Sequence, residues 1–162
     1  MNFRIGNGYD VHALAEGLPF WLGGMRIEHA KGCVAHSDGD VAIHALCDAL
    51  LGAAAMRDIG THFPDNEDDY KGIDSKILLT RTAALLYEQG YSIGNVDVTI
   101  CLQRPKVKDL IPEMCRVLSD AMGVEVGQVS VKATTTEKLG FVGREEGVAA
   151  YATALIYKVE EI

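Results

Sequence analysis

The chain has 162 residues, 48% of them apolar, which suits one domain with a substantial core. Lys and Arg number 15 against 23 Asp and Glu, and the resulting net charge of −8 excludes a general binder of nucleic acid or anionic membrane. No apolar run is suited to crossing a bilayer, and the nearest candidate, residues 41–56, carries Asp48 and His44. Cys33, Cys47, Cys101 and Cys115 form no CxxC pair and read as reduced, mostly buried residues of a cytoplasmic protein without a secretory signal.

Residues 2–12 are expected to form a first strand, in which Gly6 and Gly8 mark a bulge or a close backbone approach. Asp10 and His12 are two apart, so in a strand they project from the same side. Residues 20–27 read as a hairpin turning at Gly23-Gly24. After a polar loop, Ser37 and Asp38 are N-cap candidates for a helix running from Val41 to near residue 56, with Asp40 in its first turn. Asp40, His44 and Asp48 recur every four residues and share one face of that helix. Residues 60–69 form a polar, acidic loop.

A second helix is predicted over 75–88, with Ile77, Leu78, Arg81, Leu85 and Leu86 on its apolar face and Gly90 as its stop. A strand with alternating apolar residues follows over 91–102, then a basic turn at 104–108. The third helix spans about 109–122, with Pro112 in its first turn. Residues 129–133 form a strand, the Thr run 134–136 caps a short helical turn, and 148–159 form a long final strand. This order predicts a single α/β (α+β-like) domain over 1–162: a mixed four-stranded sheet, helices on one face and a small hairpin. The sheet face away from the helices still carries apolar residues that nothing further in the chain covers, and Ala149, Ala150, Ala152, Ala154 and Ile156 make the last strand small and apolar, which points to a second copy packed on that face and hence to an oligomer.

Asp10, His12 and His44 are candidate metal ligands. One carboxylate and two imidazoles suit a borderline-soft divalent ion such as zinc, and three protein ligands leave a catalytic position open. Asp48 or Asp40, each one turn from His44, is placed to orient its imidazole. The alternative is a satisfied polar cluster at the sheet edge.

Several motifs in order resemble the 2-C-methyl-D-erythritol 2,4-cyclodiphosphate synthase family over essentially the whole chain. They are residues 4–12 (RIGNGYDVH), 36–52 (from HSDGDV to DALLG), Asp58-Ile59-Gly60, His62-Phe63-Pro64-Asp65, residues 132–141 (KATTTEKLGF) and Gly143-Arg144. The resemblance implies metal-dependent cyclisation of 4-diphosphocytidyl-2-C-methyl-D-erythritol 2-phosphate with release of CMP, in non-mevalonate isoprenoid biosynthesis. It implies a homotrimer with interfacial active sites, zinc on Asp10, His12 and His44, and a second ion, magnesium or manganese, on Glu137. Catalytic roles fall to His36, Thr135 and Asp48. Substrate contacts fall to Asp10, His12 and Gly60, to His36 and Ser37 on the 2-phosphate or diphosphate, and to Asp58 and Asp65 on the erythritol hydroxyls. Pro105 and Lys106 match the cytosine turn, and Thr134 and Thr135 match residues on the nucleotide phosphates, while Lys132 before the Thr run either adds positive charge to the substrate site or is a surface lysine on a strand end. Phe141 and Arg144 match residues near the threefold axis, where Arg144 either binds an anion or isoprenoid diphosphate or pairs with a glutamate. A zinc-dependent phosphodiesterase or phosphatase using water is the competing activity, and a non-catalytic trimeric binder the competing class.

Overall fold

The computed structural model describes residues 2–64, 66 and 68–159. The strands are β1 (Phe3–Glu16), β2 (Phe20–Leu22), β3 (Met25–Ile27), β4 (Lys31–Cys33), β5 (Tyr91–Cys101), β6 (Val129–Thr134) and β7 (Gly147–Lys158). The helices are α1 (Val41–Ala53), α2 (Ile59–His62), α3 (Ser75–Glu88), α4 (Ile111–Met122) and α5 (Gly140–Gly143). The main sheet has the order β4-β1-β7-β5-β6, parallel only between β5 and β6, and β2 and β3 form a separate hairpin. The four-stranded expectation is short by one strand, because Lys31–Cys33 pairs antiparallel with the end of β1. The final strand of the sequence lies in the middle of the sheet, with β1 on one side and β5 on the other.

Helix α1 sits directly on β1 and β7. Gly6 and Gly8 are the reason it can. A Cβ at Gly6 would lie 1.8 Å from the Ala49 carbonyl oxygen, and one at Gly8 would lie 1.8 Å from that of Ala45. Two strand residues advance about 6.6 Å and one helical turn about 5.4 Å, so successive inward positions of β1 meet successive turns of α1. Gly6 and Gly8 take the later turns, and the next inward positions, Asp10 and His12, reach the first turns, where His44 stands.

The alternation on β7 corrects which residues lie on the sheet face away from the helices, where a second copy is expected to pack. Ala150, Ala152, Ala154 and Ile156 are buried on the helix side, where small residues let α1 approach. The opposite face instead carries Phe3, Ile5, Tyr9, Val11, Tyr151 and Tyr157, all exposed large apolar residues. On α3 the buried stripe is Leu78, Leu79, Thr82, Ala83 and Leu86, rotated from the predicted one, and Ile77 faces solvent. Helix α1 is shorter than predicted, ending at Ala53, and the expected helical turn after the Thr run comes later, at α5.

The N-cap of α1 is Asp40, not Ser37 or Asp38. Its buried carboxylate accepts the Ile43 and Gly23 amides at 3.0 and 2.9 Å through one oxygen and the Gly24 amide at 2.6 Å through the other. A single side chain thus starts the helix and ties down the hairpin turn, whose two strands alone would be marginal in water. Burial pushes the Asp40 carboxyl upward in pKa, opposed by the Gly24 and Ile43 amides.

Gly8→Ala is expected to destabilise the fold by about 2 kcal/mol or more, since its methyl meets backbone rather than a movable side chain; urea unfolding measures it. Asp40→Asn turns an amide donor toward backbone donors and is expected to cost about 2–3 kcal/mol, with the hairpin amides of Gly23 and Gly24 losing hydrogen-exchange protection first.

Candidate metal centre and flanking clefts

Asp10 and His12 leave β1 on the side that meets α1, and His44 projects from the second turn of α1. The Asp10 Oδ2 atom is 3.0 Å from His12 Nε2 and 3.1 Å from His44 Nδ1, and the two nitrogens are 3.1 Å apart. Donors on a tetrahedral ion at about 2.0–2.1 Å stand about 3.3 Å from one another, so this triangle fits a divalent metal with slight expansion. All three side chains are partly exposed, which leaves one side of the triangle open. Asp10 is driven well below the usual carboxylate range: burial opposes ionisation, and hydrogen bonds and charge from His12 and His44 outweigh it. Burial pulls His44 down, but Asp10, Asp40 and Asp38 together hold its pKa above the ordinary value.

The triangle opens into a cavity of 260 Å³ lined by His12, His36, Ser37, His44 and Gly60 on its polar side and by Ile59, Phe63, Tyr70, Ile73 and Leu78 on its apolar side. Phe63 and Tyr70 meet edge to face at 5.9 Å, which shapes the wall made by the polar loop. Sequence reasoning misses this apolar wall, for which the one signal is Phe63-Pro64 within an otherwise acidic stretch.

Neither carboxylate expected to orient His44 does so. Asp48 accepts the Ile59 amide at 2.7 Å and so fastens the start of α2 to α1. Asp40 is committed to backbone amides. The Nε2 atom of His44 instead meets Ser75 Oγ at 2.9 Å and Ser37 Oγ at 3.2 Å. Ser75 is 31 residues away at the start of α3, where sequence alone marks it only as a helix-start residue after Asp74.

Asp58 caps α2, accepting the amide and hydroxyl of Thr61 at 2.9 and 2.7 Å, and its side chain is solvent-facing. Asp65 lies outside the described residues. Pro105, Lys106, Thr134 and Thr135 come together with Leu102, Gln103 and Val107 in a second cleft, at the ends of β5 and β6, that shares no lining residue with the first. Glu137 is exposed on a left-handed backbone turn with φ 54°, its amide donating to Thr135 Oγ1. Lys132 is not among the residues lining the second cleft and pairs with Asp97 across β5 and β6. Phe141 is exposed, and Arg144 pairs with Glu146 at 2.7 Å.

A model of the YgbB family matches residues 3–157. The chain belongs to the YgbB family. Two relatives named 2-C-methyl-D-erythritol 2,4-cyclodiphosphate synthase are similar to it. One, from Bacteroides fragilis, is 60% identical over 98% of this chain and 100% of its own length. The other, from Porphyromonas gingivalis, is 62% identical over 95% of each chain. A Plasmodium falciparum IspF–CDP complex superposes with TM-score 0.85 at 34% identity, covering 98% of both chains. The bifunctional IspDF of Campylobacter jejuni gives TM-score 0.93 at 39% identity; 98% of this chain matches and spans 43% of that longer protein. Among the described residues, Asp10, His12 and His44 form a group that could hold a metal ion. Among the described residues no helix is long and apolar enough to cross a membrane.

Because His44 holds its proton above the ordinary His range, metal and proton compete there. Divalent-metal loading is expected to fall as pH drops through that raised value, and binding near that pH to release protons. Calorimetry in buffers of different ionisation enthalpy measures the release.

Proposed function

We propose that this chain cyclises 4-diphosphocytidyl-2-C-methyl-D-erythritol 2-phosphate to 2-C-methyl-D-erythritol 2,4-cyclodiphosphate and releases CMP, a step of non-mevalonate isoprenoid biosynthesis in the cytoplasm. The observation that carries this reading is the Asp10, His12 and His44 triangle at the mouth of a cleft, in a chain aligning end to end with synthases of that name. In this reading the three side chains hold zinc, which when bound supplies Lewis acidity and offsets charge on the substrate diphosphate.

The attacking 2-phosphate oxygen and the β-phosphorus belong to one molecule. The protein's task is then to fold that molecule and neutralise its charge, with no protein nucleophile. His36 and Ser37, at the first cleft, receive phosphate oxygens. Asp58, Gly60 and Asp65 hold the erythritol end, and the apolar wall of Ile59, Phe63 and Tyr70 keeps water from phosphorus. Asp48 serves by holding the α2 segment at the cleft rather than by moving a proton. Pro105 and Lys106 take the cytosine side, and Thr134 and Thr135, with Lys132 nearby, take the nucleotide phosphates. Glu137 contributes to a second ion, magnesium or manganese.

The two clefts have no lining residue in common within one chain, and the exposed aromatic face of β1 and β7 has the character of a buried interface. Both features support a homotrimer in which the nucleotide cleft of one subunit completes the metal cleft of its neighbour. Phe141 and the Arg144–Glu146 pair then lie toward the assembly axis, with Arg144 available to an anion such as an isoprenoid diphosphate.

Phosphorus NMR of the purified protein with the cytidyl substrate and a divalent ion tests the reading. The cyclic diphosphate and CMP are expected in equal amounts; linear hydrolysis products, or no turnover, would overturn it. His44→Ala is expected to remove one zinc per chain and to lower turnover by more than about 100-fold, since losing even a partner of a ligand costs about 10–100-fold.

A further inference from the structure

We infer that Ser75, anchored by Asp38, is a positioning residue that fixes the His44 imidazole with Nδ1 turned to the ligand triangle. The inference rests on the reading that Asp10, His12 and His44 bind a divalent ion. Ser75 is fully buried, and its hydroxyl touches both His44 Nε2, at 2.9 Å, and Asp38 Oδ1. A serine hydroxyl has one proton and two lone pairs, whereas a carboxylate only accepts. The hydroxyl proton therefore goes to Asp38, and the oxygen is left to accept from Nε2. That makes Nε2 an N–H nitrogen of His44, and once an ion displaces the proton that Nδ1 shares with Asp10 Oδ2, the Nδ1 lone pair is left facing the triangle of Asp10 Oδ2 and His12 Nε2, each 3.1 Å away.

The anchor is itself held from several sides. The other oxygen of Asp38 accepts the Ser75 amide at 2.8 Å, so carboxylate and serine are joined by two bonds. Asp38 also accepts the Asp40 amide at 3.1 Å and donates its own amide to the Ile73 carbonyl at 3.1 Å. Ser37 stands 3.2 Å from the same His44 nitrogen, but it is less buried and already accepts the Gly39 amide. Ser75 is thus the shorter and more enclosed partner. Histidine ligands commonly donate their second nitrogen to a carboxylate or carbonyl; here a hydroxyl is inserted between ring and carboxylate. The relay ties a ligand on α1 to the first residue of α3.

The test compares the wild-type protein with Ser75→Ala. Zinc affinity is measured by competition with a chromophoric chelator, and the His44 ring nitrogens are followed by 15N NMR in the zinc-loaded protein. The wild type is expected to show zinc on Nδ1 and a slowly exchanging proton on Nε2. In Ser75→Ala, zinc affinity is expected to fall about 10–100-fold and that proton to exchange faster, with an unchanged far-UV circular dichroism spectrum. Asp38→Ala, which frees the serine hydroxyl to rotate, is expected to act in the same direction. Zinc on Nε2 in the wild type would overturn the inference, and this measurement requires no variant to fold. So would a folded Ser75→Ala protein with unaltered affinity and exchange. A wild type that binds no zinc would remove the metal reading itself, a result distinct from the other two.

Discussion

Everything at the metal centre depends on how closely α1 can lie on β1. Two glycines with no Cβ allow backbone to approach backbone, and that approach sets the height of His44 above the strand. Asp10 and His12 are the next two inward residues after Gly6 and Gly8. Strand and helix therefore share one register, whose first half is empty of side chains and whose second half carries ligands. The alternating small residues of β7 extend the same bed under α1, which is why a helix of this kind is buried nearly all round.

A second constraint is the saturation of the polar groups around that register. Asp40 takes three amides, Asp48 takes the amide that opens α2, and Asp38 binds the start of α3. Each of these three carboxylates has a structural occupation, and each joins α1 or its entry to a different segment of chain. The acids that share a helix face with His44 are thus spent on holding loops, and orientation of the imidazole passes to hydroxyls. Interiors demand that buried donors and acceptors be met, and this demand decides which acid goes where.

Much of the site is legible in the order of residues. A period of two puts Asp10 and His12 on one side, and a period of near four puts His44 on a marked face. Gly6 and Gly8 signal a close approach, although not by which element. What escapes the sequence does so for one reason. Ser75 lies 31 residues from His44, and no local pattern reports a contact made by tertiary packing. The stripe of α3 differs from its expected position because both candidate faces contain apolar residues, and only contact with α1 and α4 decides between them. Ser37 and Asp38 are plausible caps by type, but it is Asp40 that stands extended at the helix entry with its side chain on the Ile43 amide. The alanines of β7 resemble an oligomer seam, since small residues serve any close approach and do not name the partner.

The place of β7 in the sheet has a consequence for how the molecule assembles. Phe3 pairs with Tyr157 and His12 with Val148, so the ligand-bearing strand acquires its long neighbour from the far end of the chain. Pairings so distant along the chain are slow to find, because a large loop must close before they are rewarded. On the ribosome, where residues emerge in order, β1 and α1 must wait for the last strand before the sheet between them and β5 can be filled. The sheet on which the ligand-bearing helix rests is therefore completed only when β7 takes its place beside β1.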